Sequence, residues 1–182
     1  MEVRPGKVLL DEKEIAARLD GLAEEIREFY GGMPIVIVGV LDGCLIFLAD
    51  LVRRFEMPLE LALVKVRTYI DEAAPQKPPD VPMGELGGVA GRHVLVVDDI
   101  YDTGATLAAL KSEITAAGAG SVRLCALLEK KREHEQEVHL DFCGFRIPDV
   151  FVVGYGLDYA GRWRNLPHVA VLEGYDETPP VV

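Results

Sequence analysis

The amino-acid sequence predicts an α/β domain built on a mainly parallel central sheet flanked by helices. Three observations support this. Short β-branched runs occur without polar alternation, as in strands covered on both faces. Segments of helical period stand between those runs, the order that gives parallel strands joined by crossover helices. The composition of the 182 residues, 49% hydrophobic and 27% charged, is that of a folded chain and not a disordered one. A chain of this length buries roughly 70% of the surface its unfolded form exposes, which suits one domain. That domain is expected over residues 1–176, followed by a frayed tail over 177–182 that contains Pro179 and Pro180.

The first helix is expected over residues 11–30, because Ile15, Leu19, Leu22 and Ile26 recur at helical spacing. Asp11 and Glu14 read as a capping box, and Gly31 and Gly32 end the helix. Residues 34–40 read as a central parallel strand, and an apolar helix over about 44–54 follows it. Further strands of the same kind are expected at 59–66, 94–97, 122–128 and 151–153, with a helix over about 106–117. The segment from Thr68 to Arg92 breaks this grammar, since it collects Pro75, Pro78, Pro79, Pro82, Gly84, Gly87, Gly88 and Gly91. A connection that long in a compact domain is usually functional, so a flexible lid over about 68–92 is expected, with a surface insertion as the plainer alternative.

Charge and hydropathy exclude several classes of function. A formal net charge of -11 repels a nucleic-acid backbone but leaves room for small phosphorylated ligands in a local pocket. No apolar run approaches the roughly 18 residues of a membrane span, and the charged opening MEVRPGKVLLDEKE does not read as a signal peptide. Cys44, Cys125 and Cys143 lack metal-ligand spacing and read as buried thiols of a cytoplasmic protein. His93, His134, His139 and His168 are scattered, which speaks against a zinc site.

The run VLVVDDIYDTGATL, from Val94 to Leu107, carries the chemistry. It reads as a buried strand ending in two carboxylates, then a short loop, then a helix. Ligands of open α/β sheets bind beyond the carboxyl ends of strands, so Asp98 and Asp99 emerge where a ligand lies. Asp102, Thr103, Gly104, Ala105 and Thr106 offer small side chains, hydroxyls and clustered backbone N–H groups at a helix N-terminus, a seat for a phosphate dianion. Acidic residues beside an anion site are compatible if Asp98 and Asp99 accept from sugar hydroxyls or hold Mg²⁺ through water. The ordinary alternative is that they merely cap the helix.

This run resembles the phosphoribosyl pyrophosphate motif of the type I phosphoribosyltransferases. GVLDGCLIF, from Gly39 to Phe47, is similar to the pyrophosphate loop of their hypoxanthine-guanine branch, and CGFRIPDVFVVGYGLDY, from Cys143 to Tyr159, to its purine-binding region. With Thr68 and Tyr69 at the base of the lid, the likeness spans about residues 10–173. It implies that family's fold, with a small hood beside the sheet, and transfer of ribose 5-phosphate from phosphoribosyl pyrophosphate to hypoxanthine or guanine, with Mg²⁺ and release of pyrophosphate. It further implies Asp102 as general base near N7 of the purine, Lys130 facing the O6 carbonyl, Phe151 stacking on the base and the Val152 carbonyl at its edge. Asp158 matches a metal contact, as Asp98 and Asp99 also do, and Arg164 matches the arginine on the leaving pyrophosphate, with Arg162 as a nearby competitor. Gly43 and its neighbouring amides match the pyrophosphate loop. Asp42 departs from the pattern, because many members carry Lys there, and a carboxylate facing a polyanion must point away or approach through a metal. A homodimer or homotetramer is implied as well.

Three other readings compete with this one. A noncatalytic regulator that senses phosphoribosyl pyrophosphate and binds RNA needs a basic face, at odds with the charge of -11. A phosphoacceptor receiver domain places its acidic pair on the first strand and has no use for Thr-Gly-x-Thr. A phosphoribosyltransferase for another base, xanthine or a pyrimidine, shares every donor feature and differs only in the acceptor pocket.

Overall fold

A computed structural model describes residues 2–66, 86, 88–134 and 136–175. Thr68, Tyr69 and the rest of the expected lid apart from residues 86 and 88–92 lie outside the described residues, as does the tail from 176 onward. The chain order is β1 (Arg4–Leu10), α1 (Glu12–Tyr30), β2 (Ile35–Leu41), α2 (Leu45–Val52), β3 (Leu59–Lys65), β4 (His93–Tyr101), α3 (Ala105–Ala116), β5 (Ser121–Lys130), β6 (Phe142–Ile147), β7 (Val152–Val153) and β8 (Val169–Glu173).

The strands β3-β2-β4-β5-β6 form one five-stranded sheet, in which every neighbouring pair is parallel. Alternation along the strands sorts its side chains to two faces. Ile35, Ile37, Leu95, Val97, Cys125 and Leu127 pack with Leu19, Leu22, Ile26, Phe47 and Leu51 of α1 and α2. Val36, Val38, Val40, Val94, Val96, Leu124 and Ala126 pack with Leu107, Leu110 and Ile114 of α3. Burial on both faces explains why these strands are continuously apolar in sequence.

A second sheet, β1-β8-β7, is antiparallel and forms the hood beside the main sheet. It corrects the reading of residues 151–153, which pair with β8 as β7 and take no place in the parallel sheet. The strands β1, β6 and β8 were not foreseen. Pro5 and Gly6 interrupt the pattern of β1, and its partner β8 lies at the far end of the sequence. Gly144 and Arg146 give β6 the composition of a loop, yet it closes the edge of the main sheet against β5. Cys143 is a further correction: Cys44 and Cys125 are buried, but Cys143 on this edge is only half-buried. Desolvation still pushes its thiol up to about 11. Among the described residues, no helix is long and apolar enough to cross a membrane.

The first helix begins as its capping box requires. Asp11 accepts the Lys13 and Glu14 N–H groups at 2.8 Å each, and Glu14 Oε2 accepts the Asp11 N–H at 2.8 Å. Gly31 closes the helix in the left-handed conformation, with φ of 57°. Replacing the cap in Asp11→Ala leaves those first-turn donors to water and lowers stability by about 1 kcal/mol. Urea unfolding checks this, and an unchanged midpoint contradicts it.

Candidate active site

The strand β4 runs buried from Val94 to Asp98 and delivers its last residues at the carboxyl edge of the sheet, where the chain turns into α3. Gly104 is the N-cap of α3 and no side chain caps it. Helix capping by an acidic residue is therefore not what this loop does. The first-turn N–H groups, which have no intrahelical acceptor, meet a cleft of about 270 Å³ lined by Asp98, Asp99, Asp102, Thr103, Gly104 and Thr106. Leu41 and Gly43 line its opposite wall, and Ala105 opens the helix behind. An uncapped helix N-terminus facing a cleft is suited to a phosphate group.

A strap after β5 holds this loop in shape. Gln136 N–H donates to the Thr103 carbonyl at 2.9 Å, and His134 Nδ1 lies 2.5 Å from the Asp102 carbonyl. A carbonyl only accepts, so Nδ1 carries the proton. The His134 ring stacks on Tyr101 with centroids 3.8 Å apart. The Tyr101 hydroxyl donates to the Gln136 carbonyl at 3.2 Å and accepts the Val138 N–H at 3.1 Å. Gly104 is required twice over, since its φ is 85° and a Cβ would sit 2.0 Å from the Gln136 carbonyl oxygen. Sequence reading missed Tyr101, His134 and Gln136, because these polar contacts join residues more than 30 apart and leave no periodic trace.

Asp98 and Asp99 are adjacent carboxyls at the floor of the cleft, Asp98 being 6% exposed. Asp99 N–H donates to Asp98 Oδ1 at 3.0 Å, and Ile100 N–H to Asp99 Oδ1 at 2.8 Å. Burial pushes the Asp98 carboxyl well above the usual carboxylate range, and the Asp99 carboxylate adds to the effect. Burial raises Asp99 too. Gly43 packs directly on Asp99, where a Cβ would come 1.8 Å from Oδ2. That approach explains the glycine in the loop after β2.

A second cleft of about 200 Å³ adjoins the first and is lined by Asp99, Ile100, Asp102, Lys130, Phe151, Val152, Leu157 and Asp158. Lys130 is 8% exposed, which rules out the solvated lysine that a strand end commonly carries. Its Nζ lies 2.9 Å from Asp102 Oδ2 and 3.6 Å from Asp149 Oδ1. Arg132 pairs with the same two carboxylates, at 3.1 and 3.6 Å. Neither Arg132 nor Asp149 was foreseen, although each is a charged neighbour of a residue singled out in the sequence. Phe151 meets Tyr159 edge-on at 5.6 Å and Tyr175 at 5.1 Å, and Tyr159 stacks with Trp163.

Of the remaining expected residues, neither Asp42 nor Arg164 lines either of these two clefts; Arg164 lines a third, of about 310 Å³, with Asp50, Tyr155 and Asn165. Arg164 donates to the Gly156 carbonyl at 2.6 Å and pairs with Asp158 at 2.8 Å, while the other Asp158 oxygen accepts the Gly161 N–H at 2.7 Å. The hydrogen bond from Lys65 holds the Asp42 carboxyl below its ordinary range, with the charge of Arg164 adding to it, and at Asp99 Arg164 only opposes the rise that burial imposes, whereas Arg162 is exposed and joins none of the ion pairs among the described residues. The Asp42 carboxylate is turned to Lys65, at 2.8 Å. Among the described residues no group of three or more His, Cys, Asp or Glu side chains is arranged to hold a metal by itself.

The raised Asp98 carboxyl has a consequence for stability. The folded protein binds that proton more tightly than the unfolded chain, so stability is lost as pH rises from the ordinary carboxylate range through the folded-state value. Asp98→Asn removes the loss. The variant melts above wild type at pH 8, with the difference closing toward about pH 4, where an ordinary carboxyl is half protonated. Thermal melts at both values check this, and a variant that melts below wild type at pH 8 contradicts it.

Residues 6–160 match the phosphoribosyl transferase domain family. The hypoxanthine phosphoribosyltransferase of Haemophilus influenzae is 38% identical over 165 residues, which cover 89% of this chain and 92% of that protein. The hypoxanthine-guanine phosphoribosyltransferase of Bacillus subtilis is 36% identical over 167 residues, covering 92% and 93%. The crystal structure of a hypoxanthine phosphoribosyltransferase from Staphylococcus aureus superposes with a TM-score of 0.87 at 30% identity, over 93% of this chain and 92% of that one. An uncapped helix start beside paired carboxylates, next to an aromatic cleft with a buried lysine, thus recurs in company with a family match over most of the chain: it belongs to the phosphoribosyl transferase domain family, in its hypoxanthine-guanine branch.

Proposed function

We propose that the protein joins hypoxanthine, and guanine, to the ribose 5-phosphate of phosphoribosyl pyrophosphate, forming the nucleoside 5′-monophosphate and releasing pyrophosphate. The observation that carries this is the Lys130–Asp102 pair, 2.9 Å apart, which puts a donor and an acceptor side by side on the wall of the second cleft. A 6-oxopurine with its proton on N7 presents the complementary pair along one edge, O6 as acceptor and N7–H as donor. Adenine presents two donors there, and the ammonium has nothing to give its amino group.

In this reading the 5′-phosphate occupies the N–H groups of Thr103, Gly104, Ala105 and Thr106, with the Thr hydroxyls around it. Asp98 and Asp99 accept from the ribose hydroxyls, which relieves two carboxylates crowded out of water. The purine lies against Phe151, stacking being worth roughly 1–3 kcal/mol per base, with the Val152 carbonyl at its far edge. As the bond from the anomeric carbon to the purine nitrogen forms and the bond to pyrophosphate breaks, Asp102 takes the proton from N7. Lys130, 2.9 Å away, holds the Asp102 carboxyl in position until then. Gly43 and Arg164 receive the pyrophosphate, and Thr68 and Tyr69 are assigned to cover the reacting carbon.

Mg²⁺ is the proposed cofactor. The residues fit an ion that arrives with the donor, because Asp98 and Asp99 offer carboxylates at the cleft floor and Asp158 a third beside it, while most of the ligands of a Mg²⁺ held in this way are phosphate oxygens and water. When bound, the ion neutralises charge on the departing pyrophosphate. Residues 1–176 are proposed as one domain, supported by a core cluster that contains residues of both sheets, and the cytoplasm as its place of work, supported by the free cysteines. A homodimer or homotetramer is supported by the exposed Leu61 and Leu63 on the edge strand β3 and the exposed Leu45 and Ile46 of α2.

Asp102→Ala is expected to lower turnover by about 10² to 10⁴-fold, the range for a general base, with donor affinity little changed. Pre-steady-state assays check this, and near-normal turnover removes Asp102 from the chemistry. Lys130→Gln is expected to lower kcat/KM for hypoxanthine and guanine by roughly ten- to hundredfold, because a hydrogen bond from a charged partner is worth about 1.5–3 kcal/mol. An unchanged ratio of oxopurine to adenine use in that variant contradicts the assignment.

A further inference from the structure

We propose that Lys65 is a pyrophosphate-binding residue of the donor cleft, stored on Asp42 when the cleft is empty and transferred to the pyrophosphoryl group when the donor enters. This rests on the donor reading given above and names a cation that the reading lacks.

The walls of the cleft create the need. Asp98, Asp99 and Asp102 all line it, and no Lys or Arg is among the described residues that do. Asp42 adds another carboxylate to the rim, between Leu41 and Gly43, which both line the cleft. A polyanion entering here meets the helix N-terminus at one end and carboxylates along the rest. The charge of Arg164 is felt at both Asp42 and Asp99, but its guanidinium is already divided between Asp158 and the Gly156 carbonyl. Among the described residues, the further cation on the Asp42 side of the rim is Lys65.

Register places it there. In the parallel pairing of β2 with β3, Lys65 is the partner of Leu41, so it leaves the sheet at the same carboxyl edge as the loop that holds Asp42 and Gly43. The residue after it, Val66, lines the cleft. The Lys65 side chain is 64% exposed and that of Asp42 48%. An exposed pair of this kind is weak and opens readily. A lysine ammonium on a four-carbon stem can turn to a new anion without moving the backbone. A pyrophosphoryl group offers more charge and more acceptor oxygens than one carboxylate, so it wins the exchange. Asp42 then acts as a parking place that keeps Lys65 at the rim and takes it back when pyrophosphate leaves.

Isothermal titration of the full chain with inorganic pyrophosphate in Mg²⁺ buffer, alongside steady-state kinetics, tests this. Lys65→Gln should weaken pyrophosphate binding and raise the KM for the donor by about tenfold or more, with the KM for hypoxanthine unchanged. Lys65→Arg should restore most of the loss. Asp42→Asn should act in the opposite sense and tighten pyrophosphate severalfold, which a merely structural ion pair would not do. Melting curves confirm that each variant folds, as expected for two exposed side chains. If wild type turns over hypoxanthine while Lys65→Gln binds pyrophosphate within twofold of it, the inference is overturned and the proposed function stands. If wild type uses the donor with no purine, the proposed function fails and takes this inference with it.

Discussion

A lysine ammonium withdrawn from water needs a carboxylate beside it, and Lys130 has Asp102 at 2.9 Å and Asp149 at 3.6 Å. Most of the site follows from that constraint. Lys130 ends β5 and Asp102 follows β4, so the pair forms only because those strands lie next to each other and in parallel register, Ile100 opposite Leu128 and Tyr101 opposite Glu129. The same pair separates the two clefts: Asp102 lines both, while Lys130 lines only the second. In the proposed function this junction, between the phosphate seat and the aromatic slot, is where the bond between sugar and base forms.

The rest of the fold protects that junction. The parallel sheet carries the carboxylates to one edge, and the hood brings Val152 to the second cleft through β7. His134 and Gln136, in the strap after β5, hold the carbonyls of Asp102 and Thr103. Gly104 is where strap and loop touch, and any Cβ there would displace one or the other. Paired acids at the cleft floor carry a cost in stability, since burial holds the Asp98 proton too tightly for a charged carboxylate to be comfortable there. A ligand that presents hydroxyls or a cation to that pair lowers the cost, so in the proposed function the pair that costs stability is also the pair that meets the donor.

How much of this the sequence revealed depended on whether the signal was local. The strands β2, β4 and β5 and the helices α1, α2 and α3 were legible because burial on both faces or on one stripe leaves a continuous or periodic apolar record. Their ends were right to within a few residues, α3 starting at Ala105 where residue 106 was expected. The hood strands β1 and β8 were missed and β7 was assigned to the wrong sheet, because antiparallel pairing between the two ends of a chain has no local mark. Within the site, Asp98, Asp99, Asp102, Thr103, Gly104 and Thr106 were found by their spacing and do line one cleft. Lys130, Phe151, Val152 and Asp158 were found by resemblance and share the second cleft with Asp102. Arg132, His134, Asp149 and Lys65 were not found, since each acts through polar contacts with residues distant in sequence. Asp42 was recognised as a departure, and its partner Lys65 emerges only when β2 and β3 are set side by side.

In the proposed function, buried Lys130 paired with half-exposed Asp102 selects a 6-oxopurine and accepts its proton. Steady-state turnover of the purified full chain with phosphoribosyl pyrophosphate, Mg²⁺ and hypoxanthine, guanine or adenine in turn tests it most directly. The account predicts turnover with hypoxanthine and guanine and a kcat/KM for adenine lower by at least about a hundredfold, the upper range for one charged hydrogen bond. Adenine used as well as hypoxanthine would contradict it.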